Sequence, residues 1–133
     1  MTTTVPTHVP TAGSLLRTGS AATVAAAAAT ALVAVTGQAA GLSLDMAGRP
    51  IPPSGFAVLT VIFSVVGLVI ASGLRRFARR PRAAWIRTTV ALTVLSLVPD
   101  LLADAAVSTK ALLMLAHVVA AAIVIPAVAR RLS

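Results

Sequence analysis

Residues 56–74, FAVLTVIFSVVGLVIASGL, run from Phe56 to Leu74 without one charged side chain. At about 1.5 Å of rise per residue, a helix of that length reaches roughly 28 Å, close to the hydrocarbon thickness of a bilayer. Backbone amides in lipid find no water, so each must be satisfied inside its own segment, and a helix does that where an open strand does not. The run 111–129, ALLMLAHVVAAAIVIPAVA, is as long and is closed by Arg130 and Arg131. A third span, 84–105, opens with Trp85 at an expected membrane interface and leads into the polar stretch ADAAVSTK. A fourth, about 20–42, is built mainly from alanine and valine. The sequence therefore predicts an all-α transmembrane four-helix bundle.

Composition supports that reading. The chain has 133 residues, of which 58% are hydrophobic and 11% charged, against about one-quarter charged in soluble domains. Little chain lies outside the four runs, too little for a second core. Residues 15–133 are thus expected to form a single four-span domain. Residues 1–14, MTTTVPTHVPTAGS, carry proline and threonine without periodicity and read as a disordered cytoplasmic tail in which His8 is solvated. There is no cysteine, which excludes disulfides, thiolate metal sites and cysteine nucleophiles.

The formal charge of +8 is concentrated at span ends. Arg17, Arg75, Arg76, Arg79, Arg80, Arg82, Arg87, Arg130 and Arg131 fall on one side, leaving Arg49 and Lys110 on the other. By the positive-inside rule both termini are cytoplasmic, in a multi-pass protein of the plasma membrane. The loop RRFARRPR also admits a reading as an anionic-lipid or nucleic-acid patch. Topological retention is the simpler explanation, and no nucleic-acid partner is expected. Arg17, the alanine-rich run and GQAA at 37–40 further resemble a secretory signal with a small-residue cleavage site. The run exceeds the usual 7–15 residues of a signal core, which favours a retained span.

Polar and small residues recur in steps of three and four, the period of a helix face. The third span gives Thr89, Thr93, Ser96, Asp100 and Asp104; the second gives Thr60, Ser64, Gly67 and Ala71; the first gives Thr23, Ala27, Thr30, Ala34, Gly37 and Gly41. Lipid supplies no hydrophobic drive between helices, so such faces are expected to meet one another, with small residues allowing close approach and polar groups bonding across. Gly37 and Gly41 also make a formal GxxxG, common by chance in such a composition.

Asp100 and His117 are the ionisable residues that lie farthest from the ends of the spans. Counting inward at the helical rise puts Asp100 about 7 Å and His117 about 10 Å below the outer surface, in one layer. Gln38 and Thr60 fall at comparable depth. A charge at that depth costs several kcal/mol unless paired or hydrated, so Asp100 requires a partner or a wet pocket, and His117 is the candidate. Pro99 removes a backbone donor and is expected to loosen the helix beside it. The bland reading is a buried pair fixing helix register; the functional one is a proton-exchanging pair lining a pocket open to the outer leaflet. Asp104 and Asp45 are expected to be solvated, Asp104 in an exposed pair with Lys110.

No phosphate-binding glycine loop, metal-ligand cluster or nucleophile elbow is present, so neither a metal nor another cofactor is expected. The span pattern, PDLLADA at 99–105, TKALLMLAHVVAAAIVIPAVARRL at 109–132 and the arginine-rich central loop together resemble a functionally uncharacterised family of small four-span actinobacterial integral membrane proteins. The resemblance covers nearly the whole chain and implies an architecture without assigning catalytic residues.

Three functions remain open. The first is binding of a lipophilic ligand, or of a partner membrane protein, at a pocket formed by Asp100 and His117 with Gln38, Thr60 and Ser96. The second is cofactor-free isomerisation or cyclisation of a lipid or isoprenoid, with Asp100 as general acid and His117 as base or orienting group. The third is a proton-linked transport component. So small a bundle also leaves homo-oligomerisation open.

Overall fold

The computed structural model describes residues 11–132, which leaves His8 and most of the expected tail outside the described residues. Four helices follow in order: α1 (Ala12–Ala39), α2 (Pro53–Phe77), α3 (Pro81–Leu102) and α4 (Val107–Ala129). All four are long and apolar enough to cross a membrane. Between α1 and α2 lies a two-residue antiparallel ribbon, β1 (Asp45–Met46) and β2 (Arg49–Pro50).

Local chemistry sets the ends. Thr11 caps α1: its hydroxyl accepts from Ser14 N–H at 3.3 Å, and Ser14 Oγ donates back to the Thr11 carbonyl at 2.9 Å. The helix thus starts inside the stretch read as tail. At its other end Gly41 turns with φ +80, and Leu42 N–H reaches back to the Gly37 carbonyl at 3.0 Å, the 6→1 bond of a left-handed helix terminus. The formal GxxxG is therefore split, with Gly37 packing and Gly41 turning the chain. Prolines 53 and 81 open α2 and α3, where the missing N–H would have no helical partner. Pro99 does not end α3, which continues to Leu102.

Helix α1 packs against α2 and α4, and α3 packs on α4 and more sparsely on α2. Short connections make sequential neighbours antiparallel. All the arginines but Arg49 thus gather at one end of the bundle, the arginine end, and the ribbon, which holds Arg49, closes the other, the hairpin end. The small-residue face of α1 is buried as expected at Thr23, Ala27, Thr30, Ala34 and Gly37. A Cβ at residue 19 would lie 2.1 Å from Leu68 Cδ2 on α2, and one at Gly37 would lie 2.8 Å from Leu112 Cδ2 on α4, so glycine sets both closest approaches. Ser64 and Ala71 of the α2 face are buried too, while Val58, Ile62, Phe63 and Val69 point outward, where lipid tails would lie.

Two expectations are refined. Trp85, near the start of α3, faces inward: it is 1% exposed, and its indole N–H donates to the Ile125 carbonyl of α4 at 3.0 Å. A large ring with one polar atom fits a core once that atom finds a carbonyl. The polar line of α3 does not bond across to other helices along its length. Thr89, Thr93 and Ser96 donate to carbonyls of their own helix, at Trp85, Thr89 and Thr93, at 2.7, 2.8 and 2.6 Å.

Candidate functional site

Asp100 lies two residues before the end of α3, and His117 lies ten residues into α4. Side chains lean toward the N-terminus of their own helix. In antiparallel neighbours these leans oppose each other, so the Asp100 carboxylate reaches inward along the bundle while the His117 imidazole reaches toward the hairpin end. They meet with His117 Nδ1 2.8 Å from Asp100 Oδ2.

The environment of the pair is asymmetric. The Asp100 side chain is 9% exposed and the imidazole 38%. His117 Nδ1 is also 3.0 Å from the Leu113 carbonyl one turn earlier, aligned with the ring plane. Asp100 Oδ2 is close to the same nitrogen but accepts no well-aligned hydrogen bond and is shielded from solvent. The contact is therefore electrostatic, with two oxygens converging on one ring nitrogen. Nε2 has no hydrogen-bond partner among the described residues and is not enclosed. The carboxylate and carbonyl hold one edge of the ring, and the opposite edge is presented outward.

Three further polar contacts secure the helix ends around the pair. Lys110 Nζ donates to the Leu101 carbonyl at 3.0 Å, placing a cation on the C-terminal carbonyls of α3 rather than on the Asp104 carboxylate. Ala47 N–H donates to the Asp104 carbonyl at 2.9 Å, and Thr109 Oγ1 donates to the Ser43 carbonyl. The ribbon and the segment before it are thereby tied to the α3–α4 connection.

The remaining expected site residues do not bond to the pair, although Ser96 shares a face of α3 with Asp100 one turn away. Thr60 Oγ1 is 2.9 Å from Thr30 Oγ1, linking α2 to α1, and donates to the Phe56 carbonyl at 2.7 Å. Ser96 bonds within α3, and Gln38 is exposed on the last turn of α1. None of the three hydrogen-bonds to Asp100 or His117. The polar contact joins two side chains only, and α1, which carries Gln38, has no extended packing against α3. Sequence reasoning missed the Leu113 carbonyl, four residues before His117, and the Thr30–Thr60 link. Matching the depths of the two threonine-bearing faces would have found the latter. Among the described residues no three His, Asp or Glu side chains converge as a metal would require.

The sequence pattern of a family of unknown function, DUF6069, matches residues 10–133. The chain belongs to that family. The match takes in all four helices, and both Asp100 and His117 lie inside it. Comparison with curated proteins and with solved structures finds no match. Membership of DUF6069 thus agrees with a small multi-pass membrane protein and adds no chemistry to the pair.

Proposed function

We propose that this membrane protein lies in the plasma membrane with both termini cytoplasmic and binds a hydroxyl-bearing lipophilic ligand at His117 Nε2, in the outer-leaflet half. An actinobacterial cell would supply isoprenoid or acyl alcohols of this kind. The reading rests on the half-exposed imidazole whose Nδ1 edge is held by Asp100 and the Leu113 carbonyl while Nε2 stays unpaired. A carboxylate and a carbonyl facing Nδ1 fix the ring and favour the tautomer that keeps its proton there, which leaves Nε2 as the acceptor. In hydrocarbon an unpaired nitrogen costs free energy, so a ligand hydroxyl that donates to it gains more there than in water.

The test uses ¹⁵N-imidazole NMR of the protein in nanodiscs. Farnesol is expected to shift the His117 Nε2 resonance, and farnesyl methyl ether, which has no hydroxyl proton, to leave it in place. The response should be lost in His117→Phe and weakened in Asp100→Asn. An equal response to the ether, or none to the alcohol, rejects the proposal.

The same geometry favours one catalytic reading: acid/base chemistry on a lipid or isoprenoid with His117 Nε2 meeting the substrate and Asp100 orienting the ring, because Asp100 Oδ2 is shielded. Turnover of an added lipid extract that disappears in His117→Phe would distinguish it from binding alone.

A further inference from the structure

We propose that the arginine end carries a built site for an anionic phospholipid, formed where the first turns of α1 meet the segment just after α4. Arg17 of α1 and Arg131 just after α4 line one open groove of about 890 Å³ with Ser14, Leu16, Thr18 and Ser20. A second groove, of about 420 Å³, lies across the C-terminal segment, lined by Arg80, Arg82, Ile86 and Leu132. All three acidic side chains of the chain, Asp45, Asp100 and Asp104, belong to the opposite end. Nothing acidic in the first turn of α1 offsets the positive end of that helix dipole.

Topological retention needs positive charge near the spans and no particular shape. Arg76 and Arg79 serve that purpose outside both grooves. Arg17 and Arg131 are different: they are far apart in sequence and face one concavity that also holds hydroxyls and an apolar floor. Guanidinium groups bind a phosphate diester in a bidentate way, the Thr18 and Ser20 hydroxyls add donors to its oxygens, and exposed Val24, at 69% and two turns further into the span than Arg17, lies where an acyl chain would run. That combination suits a headgroup with its tails attached better than a soluble anion. The inference concerns charge and shape at this end and stands independently of the His117 reading.

The experiment is native mass spectrometry of purified protein released from mixed micelles of phosphatidylglycerol and phosphatidylcholine with identical chains. Wild type is expected to retain phosphatidylglycerol in preference, and Arg17→Gln/Arg131→Gln to lose that preference by roughly tenfold. The charge-matched Arg76→Gln/Arg79→Gln should keep it. Arg17→Lys/Arg131→Lys, which preserves charge but not bidentate geometry, should fall between, and it reports on the site even if the glutamine pair is poorly folded. Equal losses in the two glutamine pairs would reduce the effect to diffuse charge and overturn the site, as would no headgroup preference in wild type. Displacement by millimolar inorganic phosphate would assign the groove to a soluble anion instead of a lipid.

Discussion

The two ends of the bundle hold α3 by different means. At the arginine end Leu15, Ala71, Trp85, Val128 and Leu132 form one apolar cluster to which every helix contributes. At the hairpin end the cluster is Ala34, Leu44, Phe56, Leu112 and Ala116, drawn from α1, the segment after it, α2 and α4, with α3 absent. Over its whole length α3 buries only Trp85 and Asp100. It is anchored by an aromatic ring at one end and by polar contacts at the other: Asp100 to His117, the Leu101 carbonyl to Lys110, and the Asp104 carbonyl to Ala47. In lipid, where apolar surface alone gives helices little reason to associate, directional polar contacts can seat a helix that core packing leaves loose.

The largest effect expected from this contrast is at Trp85. Removing a buried tryptophan leaves a cavity that neighbours fill incompletely, so Trp85→Ala should destabilise the bundle by about 3–5 kcal/mol. Unfolding in mixed detergent–SDS micelles measures it. Trp85→Phe keeps most of the ring and loses the hydrogen bond to Ile125, a cost of about 1 kcal/mol. A cost for the alanine variant no greater than that for phenylalanine would mean that the arginine-end core does not anchor α3.

An intermediate effect is expected at the opposite end. His117→Phe leaves the shielded Asp100 carboxylate without its polar neighbour, whereas Asp100→Asn leaves a neutral amide, so the histidine substitution should cost more. The double variant should cost less than the sum, with a coupling of about 0.6 kcal/mol and no more than about 1.7, the average and the maximum for polar contacts between membrane helices. Combining either change with Trp85→Phe should be additive, since the sites share no contact. Zero coupling between residues 100 and 117 would remove the polar half of the contrast. Coupling without any effect of farnesol would leave the pair as a clasp holding α3.

The fold was legible because its cause is written locally: uncharged runs of bilayer length and arginines at their ends dictate four helices whatever the packing. The small-residue faces of α1 and α2 were legible for a similar reason, since steps of three and four fix a face. Depth alone made His117 the candidate partner of Asp100, as two polar groups in one layer have few other partners. What did not follow was rotation about each helix axis. Trp85 suits a lipid-facing and an inward-facing position equally well by sequence, and only the position of the Ile125 carbonyl decides between them. Thr89, Thr93 and Ser96 satisfy themselves on their own helix, an option open to any hydroxyl residue in a helix and invisible to a count of polar positions. Gln38 and Thr60 matched Asp100 in depth while standing on helices that present them elsewhere.

The smallest effect tests whether the ribbon belongs to the same polar assembly. Its strands pair Asp45 with Pro50 and Met46 with Arg49, and its turn residues Ala47 and Gly48 both have positive φ, +50 and +73, the pattern of a tight hairpin turn of the primed kind. Glycine adopts that conformation freely; alanine pays for it through its Cβ. The strain is held in place by what the residue does there, since Ala47 N–H is aimed at the Asp104 carbonyl. Ala47→Gly relieves the strain and keeps the donor, so it should stabilise the ribbon by about 0.5 kcal/mol, seen as slower amide exchange at residues 47 and 51. Ala47→Pro removes the donor and forbids positive φ, so exchange should quicken in the ribbon and at the end of α3 together. Amides beside Trp85 should not respond to either change, because the apolar anchor does not depend on the hairpin. A proline variant that loosens the ribbon but leaves residues 100–104 unchanged would detach the ribbon from the hold on α3 and leave His117 and Lys110 to carry it.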